Sequence, residues 1–308
     1  MNRSIATWLG MSFLLVECCV ALAEDKVAEP AAVVGKGYRL VWNDEFDNLD
    51  SVDIKNTGKP GFKWYVNMGT FSAKIDASVS SPEPSVMRLD HGGFPNWQLS
   101  SSYSSTMGLN LAGAEGFYVE SRIRFAAKKG DLKTGWPAFW LNPAENNYGV
   151  AQWPGQTPGF INRVECDIME YGLVDLKTYV ATIHQWLGVS RWGIEPHVSN
   201  DGKNVVPFAN SELPNNRWHT YGCLTVPSTK SPDGHGFIQF YLDNVATPVR
   251  VEWVGPEIGT PPPKAPHIYA NFEHQHHVIL LGTGKEWPMD VDWVRVWQLK
   301  PTAKTGGK

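Results

Sequence analysis

Short runs of alternating apolar and polar residues, cut every few positions by Gly, Pro, Asn or Asp, constrain this fold more than any other feature. In Gly116–Phe125 (GFYVESRIRF), Tyr118, Glu120, Arg122 and Arg124 fall on one face, and Val119, Ser121, Ile123 and Phe125 on the other. Phe237–Leu242 (FIQFYL) leads into the turn pair Asp243-Asn244, and Met289–Leu299 (MDVDWVRVWQL) alternates through Val291 and Trp293. Successive side chains on a strand point to opposite faces, so a period of two predicts half-buried β-strands. Leu173–Leu187 also fits a helical period, but the β-branched and aromatic run Thr178–Trp186 favours a strand in its C-terminal half. With 29 Gly and 22 Pro among 308 residues the chain is rich in turns, while 42% hydrophobic content sets it apart from a disordered chain. No internal repeat, GxGxxG, P-loop or HExxH is present. The expected architecture is all-β, a large antiparallel sandwich or jelly roll.

Charge narrows the partners. The formal net charge is −4 and no basic block stands out, so neither a nucleic acid nor an anionic membrane surface is expected as partner. Met1–Ala23 carries Arg3, an apolar run Trp8–Val16 and a small-x-small site Ala21-Leu22-Ala23 before Glu24. That is the layout of a secretory signal peptide cleaved after Ala23, so a secreted protein, extracellular or periplasmic, is expected, without a membrane span once mature. Cys18 and Cys19 raise a lipoprotein alternative, which Glu17 disfavours. Residues 24–36 read as an Ala/Val/Glu/Pro linker, 37–300 as one domain and 301–308 as a flexible tail. A monomer is expected. Cys166 and Cys223 are the two cysteines left after cleavage; they could bridge, but their strand-like apolar contexts favour small buried hydrophobes.

Chemistry concentrates in Val164–Gly172 (VECDIMEYG), where Glu165, Asp167 and Glu170 are separated by apolar Cys166, Ile168 and Met169. On a regular strand Glu165 and Asp167 share a face, while Glu170 points away. One extra residue, a β-bulge near Ile168–Met169, returns Glu170 to the acidic face. Like charges along one face destabilise a strand, so three carboxylates together point to function. Two carboxyl groups roughly 5–5.5 Å apart are what retaining glycoside hydrolysis needs, one ionised as nucleophile and one protonated as acid. A third carboxylate helps set that division, because neighbouring negative charge favours the protonated form of an acid.

The sequence resembles glycoside hydrolase family 16, a set of β-jelly-roll endo-glycanases. Glu165-Cys166-Asp167-Ile168-Met169-Glu170 matches the bulged form of the family signature, E-[I/L/V]-D-x-x-E, with Cys in the apolar slot. The likeness continues through Leu40–Asp47 (LVWNDEFD), Gly116–Phe125, Gly135–Leu141 (GWPAFWL), Thr182–Trp186 (TIHQW), Trp218–Gly222 (WHTYG) and Val278–Trp297 (VILLGTGKEWPMDVDWVRVW). It implies a concanavalin A-like sandwich whose concave face forms the substrate cleft. It also implies Glu165 as nucleophile, Glu170 as general acid/base and Asp167 as assisting carboxylate. The bulged form argues against lichenases and xyloglucan enzymes. It leaves β-1,3-glucanases first, then marine galactan hydrolases of agarase, porphyranase or carrageenase type. Ala144–Arg163, a long lead into the acidic strand, and Phe272–His277 (FEHQHH) depart from the family pattern.

Further candidates surround this core. Trp136 and Trp140 share a strand face and offer indole planes for a sugar, with sandwich core as the alternative. His184 is placed to hydrogen-bond the carboxylates or the sugar, or to serve structure alone, and Trp186 shares its face. Arg122 reaches a hydroxyl or pairs across strands; Asn67 is included because Lys63–Gly69 precedes the expected cleft. His274, His276 and His277 read as loop or cleft histidines, not as a metal set. The mechanism requires no cofactor, but many family members hold a structural calcium, and the matching residues here are Glu45 and Asp292, with ordinary surface acids as the alternative. The expected activity is a retaining endo-β-glycosidase acting on a polysaccharide, with laminarin-type β-1,3-glucan first. A carbohydrate-binding protein without catalysis would have no use for Glu165 and Glu170 together, whereas a transglycosylase would use the same residues.

Overall fold

The computed structural model describes residues 27–68, 71–72, 77–79, 86–89, 92–125, 135–188, 197–208, 217–255, 269–285 and 287–299, without the side chains of 67–68, 71–72, 77–79, 92–98 and 283–285. The signal peptide and the tail expected from the sequence lie outside the described residues.

Two large sheets dominate. The eight-stranded sheet runs in the order Val245–Val254, His235–Leu242, His219–Val226, Phe117–Phe125, Met289–Leu299, Met87–Leu89 and Ala77–Val79, with Tyr38–Asp44 also on Met289–Leu299. The ten-stranded sheet runs His197–Ser199, Thr178–Gly188, Ile161–Tyr171, Gly135–Pro143, His276–Lys285, Gly92–Ser100, Trp64–Tyr65 and Val52–Asp53. Leu111–Ala112 and Val205–Pro207 extend it. Pairing within both sheets is antiparallel except between Val52–Asp53 and Trp64–Tyr65. This is the jelly-roll sandwich expected from the alternating runs.

The alternation sorts side chains as the period of two requires. Phe117, Val119, Ile123 and Phe125 face the core between the sheets, where they meet Val164, Cys166, Ile168, Met169 and Tyr171 of the opposite layer. Cys166 and Cys223 sit there as free, fully buried thiols with sulfurs 3.9 Å apart, one from each sheet. Burial pushes the Cys166 thiol well up, so it is protonated and packs as a small hydrophobe. Leu173–Leu187 resolves to the strand Thr178–Gly188. The turn Asp243-Asn244 has φ of 49° and 65°, the left-handed pair that closes a two-residue hairpin.

Part of the stretch read as a linker has a packed role. Residues 31–37 form turns, and Ala32 and Val33 are buried with Tyr38, Tyr118, Leu224 and Trp297. These apolar side chains cover part of the outer face of the eight-stranded sheet. The Phe272–His277 segment is also structural. A short 3-10 turn, Ala270–His274, buries Glu273, whose carboxylate accepts from Ser228 N (2.7 Å), Ser228 Oγ (2.8 Å) and Trp253 Nε1 (2.6 Å). His277 is neither a loop nor a cleft residue. It is fully buried, its ring stacked on Phe272 at 3.8 Å, and burial lowers its pKa to about 3. His276 pairs with Glu145 at 2.7 Å, and His274 is exposed.

Candidate active site

The strand Ile161–Tyr171 builds the acidic wall, and a bulge makes it possible. Trp140 and Phe139 of the preceding strand register with Asp167 and Met169, leaving Ile168 as the extra residue. On the other side Asp167 registers with Thr182 and Glu170 with Val180. Ile168 and Met169 are consecutive and both buried in the core, so the alternation resets and Glu170 joins Glu165 and Asp167 on the outer face. A strand that must bury two adjacent apolar side chains forms such a bulge, because a regular pleat would push one of them into water.

The three carboxyl groups have different surroundings. Asp167 is 3% exposed, and His184 Nε2 lies 3.3 Å from its Oδ2. Burial first, then the neighbouring charge of Glu165, raises the Asp167 pKa well above the usual carboxylate range, with Arg163 opposing. Glu170 accepts a hydrogen bond from Trp136 Nε1 at 2.8 Å. Its pKa is also raised well above the ordinary value, by burial and then by the charges of Asp167 and Glu165, while Trp136 and His184 oppose. Glu165 lies opposite His184 in the strand register and carries an ion pair to Arg163, Oε2 to Nη2 at 2.9 Å. That contact is Coulombic rather than aligned, since Oε2 has no hydrogen-bond partner among the described residues. One polar atom each of Asp167, Glu170 and His184 falls within 4.8 Å of the others. The wall therefore combines two carboxyl groups whose pKa values burial raises with a third that lies beside a permanent cation.

Other expected residues divide into those brought to this wall and those kept from it. Trp136 is present as a hydrogen-bond donor to Glu170. Trp140 shares its face, half-buried in a small apolar cluster with Ala144, Tyr148, Val278 and Leu280. Trp186 is on the same wall, but its indole is stacked on His197 with centroids 3.9 Å apart and lies under Arg163 at 5.2 Å. Arg122 does not belong here. It projects from the outer face of the opposite sheet, ion-paired with Asp292 and 4.9 Å from the Trp218 ring, so the whole sandwich lies between it and the carboxylates. Its role is the cross-strand pairing that alternation alone left open. Asn67 is in the two-residue strand Asn67–Met68, and its side chain lies outside the described residues.

Glu45 and Asp292 do not fit a calcium ion. Arg295 donates to both Glu45 oxygens, Nε to Oε1 at 3.0 Å and Nη2 to Oε2 at 2.8 Å, and Asn43 adds a third bond at 3.0 Å. Burial acts to raise the Glu45 pKa, but the Arg295 and Asn43 bonds outweigh it and hold the carboxyl low. With Asp292 held by Arg122, a divalent cation would have to displace two guanidinium groups and then sit beside them.

Sequence reasoning missed Arg163 and His197. Arg163 had a signal, an even offset from Glu165 that puts both on one face. His197 had none. It arrives on a separate strand, where its Nε2 shares a 2.9 Å hydrogen bond with His184 Nδ1.

The sequence matches no family model and no curated protein. Solved structures do resemble it. The endo-1,3-β-glucanase from Streptomyces sioyaensis superposes with a TM-score of 0.54 at 20% identity, over 86% of this chain and 98% of that one. The laminarinase catalytic domain from Thermotoga maritima gives 0.51 at 14%, over 85% and 98%. The endo-β-1,3-glucanase from Pyrococcus furiosus gives 0.51 at 15%, over 85% and 95%. At these identities the likeness is one of fold, and at that level the resemblance to glycoside hydrolase family 16 holds.

Proposed function

We propose that this chain is a secreted, monomeric member of glycoside hydrolase family 16 that cleaves a β-linked polysaccharide internally with retention, β-1,3-glucan of the laminarin type first. The observation that carries this reading is the bulged strand that turns Glu165, Asp167 and Glu170 onto one face in unlike environments. In the first step an oxygen of Glu165 attacks the anomeric carbon as the glycosidic bond breaks, and Glu170 passes its proton to the leaving oxygen. Water, deprotonated by Glu170, then attacks the same carbon and releases Glu165. Burial suits Glu170 to the acid role, because a carboxyl kept protonated near neutral pH has a proton to give. Burial first, and then the acidic neighbours Asp167 and Glu165, favour the protonated form of Glu170, while His184 stands against Asp167. The two steps as written require no cofactor. The β-1,3-glucan preference is supported by the fold neighbours, two endo-1,3-β-glucanases and a laminarinase. Export is supported by Met1–Ala23. Among the described residues no helix is long and apolar enough to cross a membrane.

The test is reducing-end release from laminarin, with agarose, porphyran and carrageenan in parallel, for the wild type, E165A and E170A. Wild-type activity with a loss of about 10⁴-fold in E165A is the expected result. E170A should lose far less on an aryl β-glycoside whose leaving group needs no proton, because general acid catalysis contributes about 10²–10⁴-fold only where protonation is required. Unchanged activity in E165A would end the nucleophile assignment.

A further inference from the structure

The outer face of the acidic strand carries one permanent cation. Arg163 stands two residues before Glu165, and neither neighbouring strand, Gly135–Pro143 or Thr178–Gly188, contains a lysine or arginine. Its side chain is 22% exposed, its Nη2 touches Glu165 Oε2 at 2.9 Å, and its guanidinium lies over Trp186, its cross-strand partner in register. Trp186 is backed in turn by the stacked ring of His197. The guanidinium is thus held from one side by an aromatic stack, while Nε has no hydrogen-bond partner among the described residues. Arg163 also ends the long lead, Ala144–Arg163, that separates this chain from the family pattern.

We infer that Arg163 is a positioning residue for the nucleophile: it holds Oε2 of Glu165 and thereby turns Oε1 toward the anomeric carbon. The inference rests on the assignment of Glu165 as nucleophile. A glutamate side chain has three torsions, and Glu165 shares its wall with Asp167 and Glu170, so its orientation needs an external anchor. A planar guanidinium suits this better than an ammonium, because it lies over the Trp186 ring and that stacking fixes where the charge sits beside Oε2. In the first step the Oε1–C1 bond forms and the glycosidic C1–O bond breaks; the electron pair and the Glu170 proton go to the leaving oxygen. Oε2 becomes the ester carbonyl oxygen, still beside Arg163. In the second step the water oxygen bonds to C1 as Glu170 takes the water proton, the C1–Oε1 bond breaks, and the electron pair returns to a carboxylate next to that cation. Arg163 therefore orients the attack and favours the departure.

The variants that test this are R163Q, R163K and R163A, assayed on the polysaccharide that the wild type cleaves, with thermal melts recorded in parallel. R163Q should lose about 100-fold in kcat with KM within about threefold of wild type, the signature of misplaced reacting atoms rather than lost binding. R163K, which keeps the charge without the planar stack on Trp186, should fall between R163Q and wild type, and it decides the question if R163Q does not fold. Millimolar guanidinium, but not the same concentration of sodium, should restore part of the R163A activity. A merely structural arginine would not respond in this way. A kcat for R163Q within about threefold of wild type, or a loss confined to KM, would overturn the inference. A loss that neither R163K nor guanidinium repairs would overturn it as well. A wild type inactive on every glycan would instead remove the nucleophile assignment, and this inference with it.

Discussion

Glu165, Asp167 and Glu170 are within one strand, yet their neighbours differ: an arginine for the first, a histidine for the second, a tryptophan N–H for the third. Those neighbours, more than the residue types, divide the chemical labour. Trp136 illustrates the point. Its N–H bonds to the ionised form of Glu170 and so pulls against the burial that raises the carboxyl. In W136F that opposing bond is gone, Glu170 stays protonated to higher pH, and the alkaline limb of the kcat/KM profile moves upward. A pH–rate profile of wild type and W136F checks this, and a limb that moves down or stays in place contradicts it. The identities of the carboxylates were legible in the sequence because spacing reveals strand parity. The placement of Arg122 was not, since alternation assigns a residue to a face without saying which sheet owns that face.

Elements translate pattern into position. The bulge at Ile168–Met169 was legible because Glu170, at an odd offset from Glu165, joins the acidic face only if one extra residue resets the alternation. Phe117–Phe125 shows the reverse case. Its outward face reads as polar, but Glu120 is 3% exposed, because Ala32, Val33, Tyr118 and Trp297 cover that region. Burial raises the Glu120 pKa to about 7, although Trp297 Nε1 donates to it at 3.1 Å and Arg295 and Tyr118 also oppose the shift. Between the ordinary pKa near 4.5 and 7 the folded state binds the extra proton, so this group's contribution is complete below 4.5 and is lost as pH rises through 7. The difference amounts to about 3 kcal/mol at most. Denaturant melts at pH 5 and pH 8 should therefore show a smaller loss with rising pH in E120Q than in wild type. Parallel losses in the two proteins would rule out the buried, protonated Glu120.

At the scale of the molecule, the sandwich gives up stability to hold its acidic wall. Asp167 and Glu170 are both raised well above their ordinary values, so the folded state loses stability as pH rises through those values and the wall must ionise. E170Q mimics the protonated form at every pH. It should melt above wild type at pH 8, by a few degrees, while its turnover of polysaccharide collapses. A scanning melt beside an activity assay tests both halves, and a lower melting temperature for E170Q would refute the first. The sequence by itself determined the all-β class, the acidic strand, its bulge, and the pairings of Trp136 with Trp140 and of His184 with Trp186 on one strand face each. Each of these follows from a local period and from where apolar residues must be buried. Only the tertiary structure decided that Arg122 lies across the sandwich, that Glu45 and Asp292 are held by arginines, and that His197 reaches His184. Those outcomes depend on which strands become neighbours, and strand order is set by packing over the whole chain, which no short stretch encodes.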